Sequence, residues 1–592
     1  MNDMIKILKY LRARDWGMII LSVACIIGQV QLDLKLPEYM SEIMKLVQME
    51  GNLMSDVWLA GGKMLLCAFG SLILAILMGF LSAQIAAHFS YGLREGVYKK
   101  VMSFSDEEMN RFSTASLITR STNDITQVQM FVVMGMSLLI KAPITAVIAL
   151  RKISTKNWQW TALTGGVIVF VCVILAIIMT YAIPRFKKMQ VLTDNLNRVT
   201  RENLTGLLVV RAYNAEDYQE SKFDTANEDL TRTQLQAQLA MSVMSPGLNL
   251  AMNALTLGIY WIGAVLIGNI VITDAASMLS RVTIFSDMVV FVNYAMQVIM
   301  AFLMLVMIFI MLPRVSVSIR RLNEVLSTTP RMKDGTKTEG LPGMEGEIEF
   351  RNVSFRYQDS AEDVIRSISF TAHRGETVAL IGATGSGKST IINLIPRMYD
   401  ATGGCVLIDG LDVREYSSKA LREKIGFVPQ KAFLFSGTVA ENIGYGEEEL
   451  SEADMRKAAE IAQATDFVET EEVGYQGHVS QNGSNFSGGQ KQRLSIARAI
   501  AKKAEIFVFD DSFSALDYRT DKTLRAALKK ESRGVTNVIV AQRIGTIMDA
   551  DRILVIEDGE IVGNGTHKEL MQTCETYREI AYSQLSKEEL DA

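Results

Sequence analysis

The chain has 592 residues, with 65 Asp and Glu against 60 Lys and Arg, for a formal net charge of −5. Apolar residues make up 49% of it and mean hydropathy is +0.18, high enough to exclude a wholly water-soluble fold. The long apolar stretches all precede about residue 313, so the length predicts a membrane domain followed by one α/β domain, each with its own core.

In chain order, Met4 to Arg14 is amphipathic and basic through Lys6, Lys9, Arg12 and Arg14, as suits a helix lying on a membrane face. No small-residue cleavage site follows Trp16, so the segment is not expected to be a signal peptide. Six apolar stretches are long enough to cross a bilayer: Trp16 to Leu36, Leu59 to Ala86, Phe131 to Leu150, Trp160 to Ile183, Leu239 to Ile267, and Val282 to Leu312. An even number returns the chain to its starting side. The connections after the second and fourth stretches are long and carry Arg94, Lys99, Lys100, Arg111, Arg120, Arg185, Lys187, Lys188, Arg198, Arg201 and Arg211, which places them in the cytoplasm. Arg151, Lys152 and Lys156 oppose that rule, because they fall in a short loop expected outside.

Polar side chains within the stretches are costly in lipid and should face a cavity or one another. They are Gln29, Gln31 and Asp33 in the first, Lys141 in the third, and Asp287, Asn293 and Gln297 in the sixth. Met296, Met300, Met304, Met307 and Met311 recur at helical spacing, a pliable face that could fit varied apolar ligands, although such stripes more often serve helix packing or lipid contact. Ser327 to Gly346, with Pro330, Gly335, Gly340, Pro342 and Gly343, reads as a linker.

Beyond the linker the pattern changes. Glu376 to Ile381 is a strand-like apolar run, Ile391 to Leu394 starts a helix, and between them Gly382, Ala383, Thr384, Gly385, Ser386, Gly387, Lys388, Ser389 and Thr390 match G-x-x-x-x-G-K-[ST]. In that P-loop pattern backbone N–H groups wrap a phosphate, Lys388 neutralises its oxygens and Ser389 reaches Mg²⁺. Glu505 to Asp510 is a second buried strand, ending in a carboxylate suited to supporting Mg²⁺. Ser487, Gly488, Gly489 and Gln490 open a helix whose free N–H groups can bind phosphate. The tail, Glu569 to Leu590, reads as helical. Cys25, Cys67, Cys172, Cys405 and Cys574 form no C-x-x-C pair, predicting reduced thiols and no cysteine metal site.

Taken together these motifs resemble the ATP-binding cassette (ABC) family, and the resemblance covers nearly the whole chain as a half-transporter of the exporter type. It implies an all-α six-helix membrane domain followed by an α/β cassette. The implied boundaries are an elbow helix over 1–15, a transmembrane domain over 16–326 with coupling regions near 104–124 and 202–217, a linker over 327–346, and a nucleotide-binding domain over 347–592. It further implies ATP with Mg²⁺ as cofactors, Tyr357 stacking adenine, Gln430 reaching Mg²⁺ beside Ser389 and Asp510, and Ser514 to Asp517 as the D-loop. In this family two cassettes sandwich two nucleotides, each held by one chain's P-loop and the other's signature peptide, here Ser487 to Gln490. Neither a peptidase domain before the first span nor a binding-protein partner is expected.

Two positions depart from the family pattern. Where an active ABC ATPase carries Glu after the Walker B aspartate Asp510, this chain has Asp511, one methylene shorter. Where the family has the switch histidine, it has Gln542, which can donate a hydrogen bond but cannot titrate. The expectation is therefore a degenerate ATP site in one half of a heterodimeric exporter. Turnover would lie mainly at the site shared with a second, non-identical half-transporter. The expected substrates are amphipathic or hydrophobic drugs, lipids or peptides, crossing the cytoplasmic membrane with the cassette in the cytosol and no nucleic acid involved. The alternative is a nucleotide-gated regulatory membrane protein or channel with little transport.

Overall fold

The computed structural model describes residues 2–48, 53–155, 157–271, 275–358, 360–447, 449–470, 473–531 and 534–585. They form two compact units, Met1–Lys100 with Ala115–Ser327 and Val101–Thr114 with Thr328–Ala592.

The first unit is helical. Its elements in chain order are α1 (Asn2–Leu8), α2 (Ala13–Asp33), α3 (Leu36–Gln48) and α4 (Met54–Met102). A short α5 (Asp106–Phe112) belongs to the second unit, and the first resumes with α6 (Thr114–Thr119), α7 (Ile125–Gly135), α8 (Lys141–Ser154) and α9 (Trp158–Thr205). Then follow α10 (Leu207–Ala212), α11 (Glu216–Ser242), α12 (Met244–Gly268) and α13 (Ala275–Ser327). Among the described residues six helical stretches are long and apolar enough to cross a membrane: Ala13–Gln48, Met54–Met102, Thr114–Ser154, Trp158–Thr205, Glu216–Gly268 and Ala276–Ile308. The six expected spans are therefore present, although the helices run well beyond the apolar windows, since polar residues such as those of 185–205 are good helix formers that lipid does not require. Large apolar side chains point outward along them, among them Leu66, Ile73, Ile177 and Trp261, which in water would be a prohibitive exposed surface.

Inside the bundle Trp160 packs on Phe291 with ring centroids 5.3 Å apart, and the Tyr294 hydroxyl donates to the Leu34 carbonyl at 2.9 Å. The N-terminal segment is seated on α4 and α13: Asn323 Nδ2 donates to the Asp3 carbonyl at 2.7 Å, and a Cβ added at Gly96 would lie 2.5 Å from the Tyr10 ring. Glycine at this position of α4 makes the approach possible. The basic residues expected in a loop are placed differently. Arg151 and Lys152 form the last turn of α8, where cations are favoured by the helix dipole, and Lys152 Nζ reaches Glu38 Oε1 at 2.6 Å; Lys156 lies outside the described residues. The third span is broken by π-helical turns at Arg120–Asp124 and Met136–Ile140.

The second unit is built on strands. A six-stranded sheet has the order Glu560–Gly565, Arg552–Glu557, Thr377–Ile381, Thr536–Val540, Ile506–Asp510, Ile425–Val428, parallel throughout except at its Glu560–Gly565 edge. Its central strands are continuous apolar runs because both faces are covered; all five residues of Ile506–Asp510 are buried. A four-stranded antiparallel sheet, in the order Ile365–Ala372, Ile348–Phe355, Gly403–Ile408, Leu411–Asp412, shares the core with it. The expected C-terminal helix is divided, as His567–Thr573 and Glu575–Gln584, and the end of the tail lies outside the described residues.

Within this unit α5 contacts Thr328–Ala592 through the Glu107–Arg331 ion pair at 2.9 Å and through one buried carboxylate. Glu108 Oε2 accepts from the Ser105 backbone N–H at 2.8 Å, closing a capping box, while Glu108 Oε1 accepts from the Arg331 backbone N–H at 3.1 Å. Burial alone would raise the Glu108 pKa, but the hydrogen bonds from Ser105 and Arg331 outweigh it and hold the carboxyl below its ordinary value. A depressed carboxylate stabilises the fold above its unfolded pKa, and the effect is lost as pH falls through the lower folded value. Glu108→Gln should therefore raise amide exchange across Ser105–Phe112 by about tenfold or more. Acidification of the unsubstituted chain below about pH 4 should move exchange in the same direction. Unchanged protection in the variant would mean that Glu108 does not hold this segment.

Candidate functional site

The P-loop follows the buried strand Thr377–Ile381 and runs into the helix Lys388–Leu394. Its first glycine is required sterically: a Cβ at Gly382 would stand 2.0 Å from the Ile556 carbonyl oxygen, and the residue has φ 157°. Gly385 and Gly387 turn the chain with φ of 87° and 98°, giving the concave run of N–H groups that binds anions. Lys388 folds into the loop, its Nζ donating to the Gly382 and Ala383 carbonyls at 2.9 and 2.7 Å and to Ser386 Oγ at 3.2 Å. Burial lowers its pKa, opposed by the nearby Asp511 and Asp510 charges. Ala383 and Thr384 are exposed on the rim, whereas Ser386 and Thr390 are buried. The Tyr357 hydroxyl lies 3.1 Å from Thr390 Oγ1, bringing the candidate adenine-stacking ring to the foot of the loop.

Ser389 Oγ donates to Asp510 Oδ1 at 3.0 Å. This hydroxyl and carboxylate suit Mg²⁺, a hard cation that takes one or two carboxylates and completes its shell with phosphate and water. Among the described residues no cluster of three or more His, Cys, Asp or Glu could hold a metal alone, so such an ion would depend on nucleotide phosphates, whose charge it would offset. Burial raises the pKa of both Asp510 and Asp511.

The next carboxylate is already engaged. Gln542 Nε2 donates to Asp511 Oδ2 at 2.8 Å, and Gln430 Nε2 approaches the same oxygen at 3.4 Å. Asp511 adopts a left-handed φ of 44°, a conformation that strains a non-glycine residue. Its backbone is fixed there by its N–H donating to the Val540 carbonyl at 3.0 Å and by Ser514 Oγ donating to its own carbonyl at 2.9 Å.

The other candidate peptide faces outward. Ser487 caps the helix Gly488–Ala501, accepting from the Gln490 N–H while Gln490 Oε1 accepts from the Ser487 N–H at 2.8 Å. Ser487 and Gly488 are exposed, and a Cβ at Gly488 would meet nothing within 4 Å. At Gly489 it would lie 3.2 Å from the Ala515 carbonyl, so this helix packs on the 514–517 turn. Asp517 Oδ1 accepts from the Thr520 N–H at 3.0 Å, capping the helix Tyr518–Glu531 and lowering its own pKa. Within the chain, Lys388, Ser389, Asp510, Asp511, Gln430 and Gln542 are linked by hydrogen bonds or direct electrostatic contact, and Ser487–Gln490 are in none of these contacts.

Sequence reasoning missed the support of Tyr357. Its ring stands edge-on to Phe355 at 4.8 Å and to Tyr399 at 5.5 Å. Burial pushes the Tyr399 hydroxyl up to about 12. The available signal was an aromatic, Tyr399, soon after the P-loop helix, but no spacing rule ties it to Tyr357.

Residues 19–289 match the family model for the ABC transporter transmembrane region, and residues 365–514 match the family model described as ABC transporter. The chain is 40% identical to an uncharacterized ABC transporter ATP-binding protein of Mycobacterium tuberculosis (strain ATCC 25618 / H37Rv), over 88% of this chain and 87% of that one. It is 31% identical to an ATP-dependent lipid A-core flippase of Syntrophus aciditrophicus (strain SB), over 84% and 80%. Its fold is similar to that of a bacterial Atm1-family ABC exporter solved with ATP bound, at TM-score 0.78 and 23% identity, covering 98% and 99% of the two chains. With both domains matched in one chain and relatives aligned over most of their length, this protein belongs to the ABC transporter family as an exporter half-transporter, a multi-pass membrane protein with an ATP-binding cassette.

Proposed function

We propose that this chain is the degenerate-site half of a heterodimeric ABC exporter that moves amphipathic or hydrophobic compounds outward across the cytoplasmic membrane, with its cassette in the cytosol. Tyr357 would stack adenine, residues 382–390 cradle the phosphates, and Ser389, Asp510 and Gln430 hold Mg²⁺. The flippase relatives and the apolar bundle favour lipid-like substrates. The observation that carries the reading is the 2.8 Å hydrogen bond from Gln542 Nε2 to Asp511 Oδ2. A general base must have its carboxylate free to accept from the attacking water. Asp511 is shorter than Glu and already accepts from an amide. Misplacement by about 1 Å can cost on the order of 10²-fold in rate, and Gln542 offers no charge to offset it.

A homodimer would carry this arrangement in both sites, so turnover requires a partner of different sequence that supplies Glu, His and a P-loop opposite Ser487–Gln490. ATP would close the cassettes and hydrolysis reopen them, switching access of the cavity. The test of the assignment is outward movement of labelled amphiphile by the reconstituted pair, with ATP on the cassette side. Accumulation on the cassette side would overturn it, and an assembly that gates on ATP without net movement would favour the channel-like alternative.

Three outcomes are expected of the ATPase itself. Purified without a partner, the chain should bind ATP yet release phosphate barely above background; turnover at the rate of an ordinary exporter would refute the degenerate assignment. Asp511→Glu alone should recover little in the assembled pair, because Gln542 is still there and the partner's signature peptide is expected to be altered.

The third outcome separates the two sites. Since Gly488 has open space around it, Gly488→Asp should leave this chain's fold intact. It would obstruct backbone approach to the partner-site γ-phosphate and remove a preorganised donor, a loss of roughly 10²- to 10³-fold by analogy with oxyanion-hole donors. Lys388→Ala should mainly weaken ATP retention in the degenerate site, slowing the cycle without stopping it. ATPase rates of the assembled pair carrying each substitution decide the matter, and equal losses would mean equivalent sites.

A further inference from the structure

The transmembrane unit contains a cavity of about 280 Å³ lined by residues of α2, α3, α8 and α13. Its wall is mostly apolar, through Met300 and Met304 among others, but two opposite charges open onto it: Asp33 from α2 and Lys141 from α8. Thr145 and Gln297 add neutral polar groups. Placing ionised side chains at membrane depth costs several kcal/mol unless they are paired or watered, so their presence requires a compensating contact.

The contact they make with each other is incomplete. Lys141 Nζ stands 3.8 Å from Asp33 Oδ2, inside ion-pair range but longer than an N–H···O hydrogen bond. Each side chain keeps a quarter to a third of its surface accessible, 26% for Lys141 and 30% for Asp33. The other Asp33 oxygen, Oδ1, accepts from Ser71 of α4, which fixes the carboxylate in place. A second ion pair of this unit is tighter: Lys152 Nζ and Glu38 Oε1 are 2.6 Å apart, and Lys152 also donates to the Leu34 carbonyl at 3.2 Å. Lys152–Glu38 therefore has the geometry of a structural bond, and Asp33–Lys141 that of two charges held apart beside a cavity.

We infer that Asp33 and Lys141 form a binding site for the headgroup of a zwitterionic amphiphile. The ammonium of the ligand would be received by Asp33 and its phosphate or carboxylate by Lys141, with the flexible Met300 and Met304 side chains against the adjoining apolar part. Inserting a ligand with both signs replaces one loose pair by two charge-assisted contacts and leaves no charge unmatched. A ligand of one sign pairs with one group and strands the other in a low-dielectric wall, which is the costly outcome. The site thus selects by charge pattern, and the neutral polar groups Thr145 and Gln297 can bond either ligand end. This deepens the export reading by naming a substrate class, and it makes no use of the nucleotide-site asymmetry.

The experiment uses the full chain in its assembled form, in nanodiscs, without nucleotide, so that its result is independent of turnover. Three fluorescent single-chain lipids with the same acyl group are titrated: a phosphoethanolamine (zwitterionic), a phosphoglycerol (anionic) and an ethyl-phosphocholine (cationic). The zwitterion should bind about ten- to hundredfold more tightly than either single-charge probe, the range expected for one charge-assisted hydrogen bond. In Asp33→Asn the anionic probe should draw level with the zwitterion, and in Lys141→Gln the cationic probe should do so. A short-chain phosphoethanolamine added from water distinguishes the source: competition by it marks a soluble amphiphile as an admissible ligand, and its failure while the long-chain lipid binds confines the ligand to the bilayer. Unfolding temperatures of both variants are measured in parallel, and the Lys141→Asp chain carrying Asp33→Lys restores opposite charges should either single variant fail to assemble. Equal affinity for the three headgroups, a zwitterion preference that survives both substitutions, or a uniform loss for all probes would each overturn the proposal and leave the pair as a helix-packing contact. Failure of the ATPase comparison between Gly488→Asp and Lys388→Ala would not touch this result.

Discussion

The parallel register of four strands is the constraint on which the cassette's chemistry depends. Val540 lies opposite Leu380 on one side and Asp510 on the other, and Phe509 lies opposite Val428. The chain therefore leaves the sheet at one level in all four places, and Gly382, Gln430, Asp511 and Gln542 follow within two residues of those pairs. A shift of one residue in the strands before Gln430, Asp511 or Gln542 would turn that polar side chain to the opposite face. The strands can hold the register because they are buried on both faces, so hydrophobic packing fixes the polar cluster that none of its own hydrogen bonds could assemble. Ligand sites in open α/β sheets form at this carboxyl edge for the same reason.

The membrane unit solves a different problem, since lipid gives apolar packing no advantage over lipid contact. Its helices turn Leu66, Ile73 and Trp261 outward and keep specific contacts inside: Trp160 on Phe291, Tyr294 on Leu34, Lys152 on Glu38. These join distant parts of the chain, α9 to α13, the α2–α3 link to α13, and α3 to α8, and are directional where hydrophobic burial is not. Against that background a loose pair beside a cavity is informative, because the Lys152–Glu38 pair between α8 and α3 closes to 2.6 Å.

The six spans and the α/β cassette were legible in the sequence because each rests on a pattern with a physical period or a run length: about twenty apolar residues for a bilayer, and short buried strands flanked by glycine for the sheet. What the sequence could not place were features set by tertiary context. Arg151 and Lys152 read as a loop, because charge ended the apolar run, yet they continue the α8 helix, where Glu38 is close enough to pair. Helix ends such as Met102 and Thr205 were invisible for the opposite reason, since polar residues continue a helix as readily as apolar ones. At the candidate site, motif spacing named the P-loop and the two carboxylates, and coordinates were needed to find Gln542 on Asp511 and Tyr399 against Tyr357, contacts across 31 and 42 residues of chain that no local rule encodes.

The two surfaces proposed to face nucleotide are built with different tolerances, and this bears on how one could change without the other. Around Gly382 the backbone is crowded to 2.0 Å of a would-be Cβ, whereas around Gly488 there is open space. The crowded position is constrained by this chain's own fold, so glycine at 382 is needed there whether or not the site turns ATP over. Gly488 is free of that constraint, and only a ligand or a partner could make glycine necessary there. Asp511 and Gln542 lie between these extremes: the buried Asp511 carboxylate accepts from Gln542 at 2.8 Å and is approached by Gln430 at 3.4 Å, while Gln542 itself is exposed. On the heterodimer reading, the glycine at 488 is held by what it meets in the partner, while the carboxylate of Asp511 is held by two amides of its own chain.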